Sequence, residues 1–312
     1  MDLLSRFRGS LLGLAVGDAL GAPVEFEPRG SFQPITGLRG GGPFNLKAGD
    51  WTDDTSLALC LAESLIEKKG FDARDQAERY VRWWKEGHLS CKENCFDIGN
   101  TTKASLQRFI ETGNPYSGPT GPETGSNGSL MRLAPVPLFY HDTPRRAVEY
   151  SGLSSKVTHG ADEAVDPCRY LGALIVGVLR GETKETLISP RYEPEKGIWV
   201  EKPLIEAVSI IADGSFRHFE PPEIRAQGSA VKTLEAALWA FTKGSSFEEG
   251  CLLAVNLGDD SDTVGAVYGQ LAGAYYGVEK IPTKWLTGLS RIDVIESIAE
   301  RLFKASKRRV SE

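Results

Sequence analysis

Leu4-Ser5-Arg6-Phe7-Arg8-Gly9-Ser10-Leu11-Leu12-Gly13-Leu14-Ala15-Val16-Gly17 sets Leu4, Phe7, Leu11 and Leu14 at the three-and-four spacing of one helix face. The same stretch holds Gly9, Gly13, Ala15 and Gly17, small residues that let a neighbouring helix come close. Outward from it, helical periodicity recurs at about residues 54–68, 72–87, 100–112, 160–180, 202–212, 226–243, 247–255, 262–277 and 290–306. Loops punctuated by Gly and Pro separate these segments at 23–50, 113–126 and 182–201. In the last of them Ile198-Trp199-Val200 reads as a short strand. No segment alternates strongly enough to build a central sheet. With no repeat, no low-complexity tract and no dividing linker, the expectation is an all-α, compact single-domain helical bundle over residues 1–312.

Composition excludes several classes. The 36 basic side chains set against 42 acidic ones leave a net charge of −6, which argues against nucleic acid as a partner. Lys304, Lys307, Arg308 and Arg309 cluster in a basic tail at about 304–312, where cations suit a helix C-terminus. The longest uncharged stretch, Val264 to Val278, falls short of the ~20 residues of a membrane span. Arg6 and Arg8 precede an apolar run, but Leu11 to Val16 is short and Asp18 interrupts it, so no signal peptide is expected. Five cysteines (60, 91, 95, 168 and 251) make an odd number. Cys91 and Cys95 have no second Cys/His pair at zinc spacing, and reduced thiols in a cytoplasmic protein are the expectation.

The chemistry lies with the carboxylates. Trp51-Thr52-Asp53-Asp54-Thr55-Ser56 runs straight into an apolar helix, and Gly258-Asp259-Asp260-Ser261-Asp262-Thr263 opens a helix of small residues. Each alone reads as a cap, Thr52 included, with acids that complement the helix dipole. Two such ends together supply the oxygen donors that Mg²⁺ and Mn²⁺ prefer. Three acids around Asp260 would repel one another without cations between them. Gly125-Ser126-Asn127-Gly128-Ser129-Leu130-Met131-Arg132 can turn several N–H groups toward an anion, or be simply a loop. Glu25 reads as a loop acid or a solvated one, and Asp97 as a site acid or a cap for the helix at 100–112. His159 lies in a compact turn at 154–160, while His88, His141 and His218 look like loop or surface residues.

Taken in order, these stretches resemble the ADP-ribosylglycohydrolase family. The matching pattern is Gly17-Asp18-Ala19-Leu20-Gly21 through Glu25, Trp51-Thr52-Asp53-Asp54-Thr55 and Phe96-Asp97-Ile98-Gly99. It continues through Asn127-Gly128-Ser129-Leu130-Met131-Arg132, Thr158-His159 and Asp260-Ser261-Asp262-Thr263. The resemblance implies an all-α fold with a cleft that holds two Mg²⁺ or Mn²⁺ ions. It implies Thr52, Asp53, Asp54, Asp260, Asp262 and Thr263 as metal ligands, with Asp97 and Glu25 as catalytic acids. Ser126, Asn127, Gly128, Ser129, Met131 and His159 would hold ADP-ribose, with Gly128 and Ser129 near its diphosphate. One departure stands out: many relatives carry a second Gly where this chain has Asp259, which is expected to point away or to act behind the ligands.

The reaction so implied is hydrolysis at C1″ of ADP-ribose on a modified protein side chain, N-linked ADP-ribosylarginine first. O-linked ADP-ribosylserine and small-molecule ADP-ribose conjugates are the alternatives. A two-metal phosphoesterase needs similar carboxylates, and a non-catalytic ADP-ribose reader needs the same cleft. The expected partner is an ADP-ribosylated protein or conjugate, met by a cytoplasmic monomer without nucleic acid or membrane.

Overall fold

The computed structural model describes residues 1–309. Two helices at its centre are apolar on nearly every side, the pattern of a helix surrounded by others. They are α1 (Leu3–Gly21), buried almost throughout from Phe7 on, and the later helix Ser261–Tyr276, buried from Ser261 to Ala274. Between them in the chain come α2 (Asp53–Lys68), α3 (Ala73–Glu86), α4 (Asn100–Thr112), α5 (Pro144–Lys156), α6 (Asp162–Leu179), α7 (Ala230–Lys243) and α8 (Phe247–Val255). Ser261–Tyr276 is therefore α9, and α10 (Ile292–Arg309) completes the long helices. Short helical turns fill the connections.

Glycine sets how α1 and α9 pair. Gly9, Gly13 and Gly17 face Gly273, Gly269 and Gly265 in turn, so the two helices run antiparallel, backbone against backbone. A Cβ added at Gly13 would lie 2.5 Å from the Gly269 carbonyl oxygen, and one at Gly9 or Gly17 would come closer still to the carbonyl opposite. At the end of this seam Gly21 abuts the main chain of Asp262. The antiparallel run thus brings Asp18 and the loop after α1 to the acidic start of α9. Around this pair, α10 packs on α1 and α2, α3 packs on α2, and α6 and α7 pack on α9. The main apolar cluster extends from Phe7 to Leu302.

The all-α expectation holds: among the described residues the only β-type pairings are the single bridges Gly41–Leu46 and Ser126–Ser229. Ile198-Trp199-Val200 is not a strand but the start of a short helix, Ile198–Glu201. The Glu193 carboxylate accepts the N–H of Gly197 at 2.8 Å, the Glu201 N–H closes on the Gly197 carbonyl at 3.0 Å, and no neighbouring strand offers a ladder. The turn expected at 154–160 begins inside α5. That helix buries Ala147, Ser151, Gly152, Ser154 and Ser155 beside a single valine, Val148, so its inner face carries little apolar signal. Of the basic tail, residues 304–309 continue α10, and 310–312 lie outside the described residues. All five cysteines are free thiols. No helix among the described residues is long and apolar enough to cross a membrane.

Candidate functional site

Asp18 organises the floor of the site. It is fully buried on α1, and its carboxylate accepts the Thr52 N–H at 2.9 Å, the Thr55 N–H at 3.1 Å and the Thr55 hydroxyl at 2.6 Å. The first turn of α2 is therefore capped from a different helix. Thr52 occupies the N-cap position without capping through its own side chain, a correction to its sequence reading. Its hydroxyl reaches Asp18 at 3.0 Å and Asp54 at 3.2 Å. Burial pushes Asp18 up to about 6, against the pull of those hydrogen bonds.

Above that floor lies a cleft of about 340 Å³ that gathers Glu25, Asp53, Asp54, Asp97, Asp260, Asp262 and Thr263. Glu25, Asp97 and Asp262 each bring a carboxylate oxygen within 4.8 Å of the other two. Burial, and then the neighbouring acids, push Glu25 up to about 9 and Asp97 up to about 8. The same causes, burial first, hold Asp53, Asp54 and Asp262 well above the usual carboxylate range. Asp260 is raised by burial while the Asn127 amide, donating at 2.8 Å, draws it down. No Lys or Arg lies among the cleft's described lining residues. Glu25 Oε2 and Asp54 Oδ1 are buried without a hydrogen-bond partner. Buried anions without counter-charge are costly, and oxygen donors set this close suit hard divalent cations. The donor set therefore fits the metal chemistry expected of it.

The opposite wall is built from the loop that precedes α5. Gln270 of α9 suspends it, accepting the Ala134 N–H at 2.7 Å and donating to the Met131 carbonyl at 2.6 Å. Ser126, Asn127, Gly128, Met131 and His159 all line the cleft. Ser129 does not: it is buried, and its hydroxyl turns away to Ser155 Oγ at 2.7 Å, so its side chain departs from the expected role. The N–H groups of Ser126 and Asn127 are already taken by the Thr124 and Gly228 carbonyls at 2.9 and 3.0 Å. Gly128 is required by space, since a Cβ there would sit 2.8 Å from the His159 ring. Buried His159 meets Thr158 Oγ1 at 2.8 Å, and Arg132 donates to the same oxygen at 2.6 Å. Burial, then the Arg132 charge, lower His159 to about 3, so the ring is neutral at physiological pH. Arg132 can only donate.

Several cleft residues escape a reading of motifs. Gly99, Asn100, Thr101 and Thr102 form the N-terminus of α4 at the cleft wall, with no side-chain cap on its first turn. The signal available was Gly99-Asn100-Thr101-Thr102 directly before a periodic run, because helix N-termini favour anions. Phe26 and Gly228 also line the cleft. Asp259 lies outside it: its side chain is exposed, and Asp260 is the residue that faces the other acids. His88 is more than a loop histidine, since its Nε2 meets the Glu63 carboxylate at 2.7 Å.

Comparison with known proteins points to one family. A family model described as ADP-ribosylglycohydrolase matches residues 1–311. The chain is 40% identical over 302 residues to ADP-ribosylarginine hydrolase Tri1 of Serratia proteamaculans, covering 97% of this chain and 80% of the relative. It is 32% identical over 292 residues to the ADP-ribosyl-(dinitrogen reductase) glycohydrolase of Rhodospirillum rubrum, covering 91% and 90%. A solved structure titled ADP-ribosylglycohydrolase-related protein complex superposes with a TM-score of 0.85 at 45% identity, over 97% of this chain and 99% of its own.

Proposed function

Because the chain belongs to the ADP-ribosylglycohydrolase family and is an enzyme of that kind, we propose that it removes ADP-ribose from arginine side chains of modified proteins. The observation that carries this reading is the cleft of six acids without a lining cation, walled opposite by a loop and a helix N-terminus suited to a diphosphate. The chain acts as one catalytic domain, a cytoplasmic monomer.

Asp53, Asp54, Asp260, Asp262 and Thr263, with Thr52 behind them, would hold two Mg²⁺ or Mn²⁺ ions. Bound there, the ions would supply charge to offset the carboxylates and Lewis acidity toward water and the ribose hydroxyls. Asp97 or Glu25 takes the proton from the attacking water as its oxygen bonds to C1″. The C1″–N bond breaks as that bond forms, through an oxocarbenium-like state, and its electron pair goes to the guanidine nitrogen. That nitrogen receives the proton in turn and leaves as guanidinium. The Gly128 N–H group and the first turn of α4 bind the diphosphate, which fixes the substrate far from the bond that breaks. The neutral His159 ring lies beside Gly128 on the same wall.

The test is chelation and add-back with ADP-ribosylarginine and ADP-ribosylserine peptides, reading free ADP-ribose. Release from the arginine peptide that chelator stops and Mg²⁺ or Mn²⁺ restores is the expected result. Preference for the serine peptide would move the reading to the O-linked class. AMP in place of ADP-ribose would identify a phosphoesterase, and tight ADP-ribose binding without release a reader.

A further inference from the structure

Beside the acidic cleft lies a second recess of about 490 Å³, open to solvent and lined by Phe26, Ala226, Gln227, Gly228, Asp259 and Asp260. It shares Phe26, Gly228 and Asp260 with the cleft, so the two are continuous. A group departing from the acids can pass into it. Phe26 is 67% exposed, and no packing against the core explains an aromatic ring at this place. It is nonetheless held firmly. The Phe26 N–H donates to the Asp259 carbonyl at 2.7 Å, and the Asp259 N–H donates to the Glu27 carbonyl at 2.7 Å. Phe26 and Asp259 both adopt the left-handed backbone, with φ of 65° and 49°. Non-glycine residues persist there only when their surroundings fix them. The recess thus presents an exposed aromatic face and an exposed carboxylate on one rigid double-anchored junction, with no lysine or arginine in its lining.

Resting on the arginine reading above, we propose that this recess receives the leaving side chain: the guanidinium of the modified arginine stacks on Phe26 and pairs with Asp259. A planar, delocalised cation is the group that gains from both contacts at once. A serine hydroxyl gains from neither. Asp259 and Phe26 are accordingly specificity-determining residues for the leaving group, while the ADP-ribose half is held on the far wall. The carboxylate at Asp259 then serves substrate choice and not metal binding.

The test uses the full chain with Mg²⁺ and two variants, Asp259→Asn and Phe26→Leu. Asparagine adopts the left-handed backbone readily, so the first removes charge while keeping the junction. Both are read by KM and kcat on an ADP-ribosylarginine peptide, and by calorimetric affinity for free ADP-ribose, which lacks the leaving group. Each variant is expected to raise KM about threefold with ADP-ribose affinity unchanged. Wild-type KM in both variants overturns the recess while leaving the arginine reading standing. So does a loss of ADP-ribose affinity in step with KM. A wild-type protein that releases nothing from the arginine peptide overturns the arginine reading itself, and the recess with it. Should Asp259→Asn fail to melt like wild type, Phe26→Leu alone decides.

Discussion

Six carboxylates share one cleft without a lining cation, so protons and metal ions compete for the same oxygens. Asp18, Asp97 and Glu25 are pushed up to about 6, 8 and 9, above the ~4 of the unfolded chain. A raised carboxyl binds a proton in the native state that the unfolded chain would release. Its contribution to stability is full below pH ~4 and is lost as pH rises through the folded values. In chelator the melting temperature should fall between pH 5 and 9, and excess Mg²⁺ should flatten that fall. A flat profile in chelator would sink the account. Asp97, held at φ 58° beside Glu25 and Asp262, is one of the two acids proposed to accept the proton. Asp97→Asn should lower kcat about 100-fold or more with little change in ADP-ribose affinity. If Glu25→Gln does so instead, the roles exchange. At this scale the sequence was legible where residue type carries the chemistry, as at Asp53, Asp54, Asp260 and Asp262. It was silent where a role depends on a distant partner: nothing local tells that Asp18 caps α2, or that Ser129 turns its hydroxyl inward.

Helix α1 and helix α9 meet through glycines, and the site inherits its geometry from that contact. Gly17, next to Asp18, faces the carbonyl of Gly265, one turn after Asp262, with no room for a methyl group. Gly17→Ala should cost about 3 kcal/mol, the upper end for overpacking, because the obstacle is main chain and cannot rotate away. Urea unfolding would measure it. A change below about 0.5 kcal/mol would show that the two helices are not in backbone contact. The small residues of α1 and α9 were visible in the sequence as stretches fit for close approach; their pairing with each other was not, since spacing within one helix does not name its neighbour. Helix α5 was hidden for the opposite reason. Its buried face is mostly serine, glycine and alanine with Val148 the one larger apolar residue, so burial left little apolar period to read, and Pro144 at its first turn was the remaining signal.

At the scale of the molecule, one apolar cluster joins residues from Phe7 to Leu302. Loss of helix by circular dichroism and exposure of Trp51, Trp83 and Trp285 by fluorescence should therefore coincide on heating. Two separated transitions would divide the chain into independent units. Helical architecture was readable because periodicity is local; the placing of the cleft needed the antiparallel seam. That seam has a consequence for how the protein comes into being. Half of the cleft acids belong to residues 25–54 and the other half, apart from Asp97, to residues 260–262, and they are neighbours only once α9 lies against α1. During synthesis the early acids leave the ribosome without partners and wait for more than 200 residues. A nascent chain that has not yet released α9 is therefore chemically silent, and the capacity to edit other proteins switches on only when α9 has emerged and packed on α1.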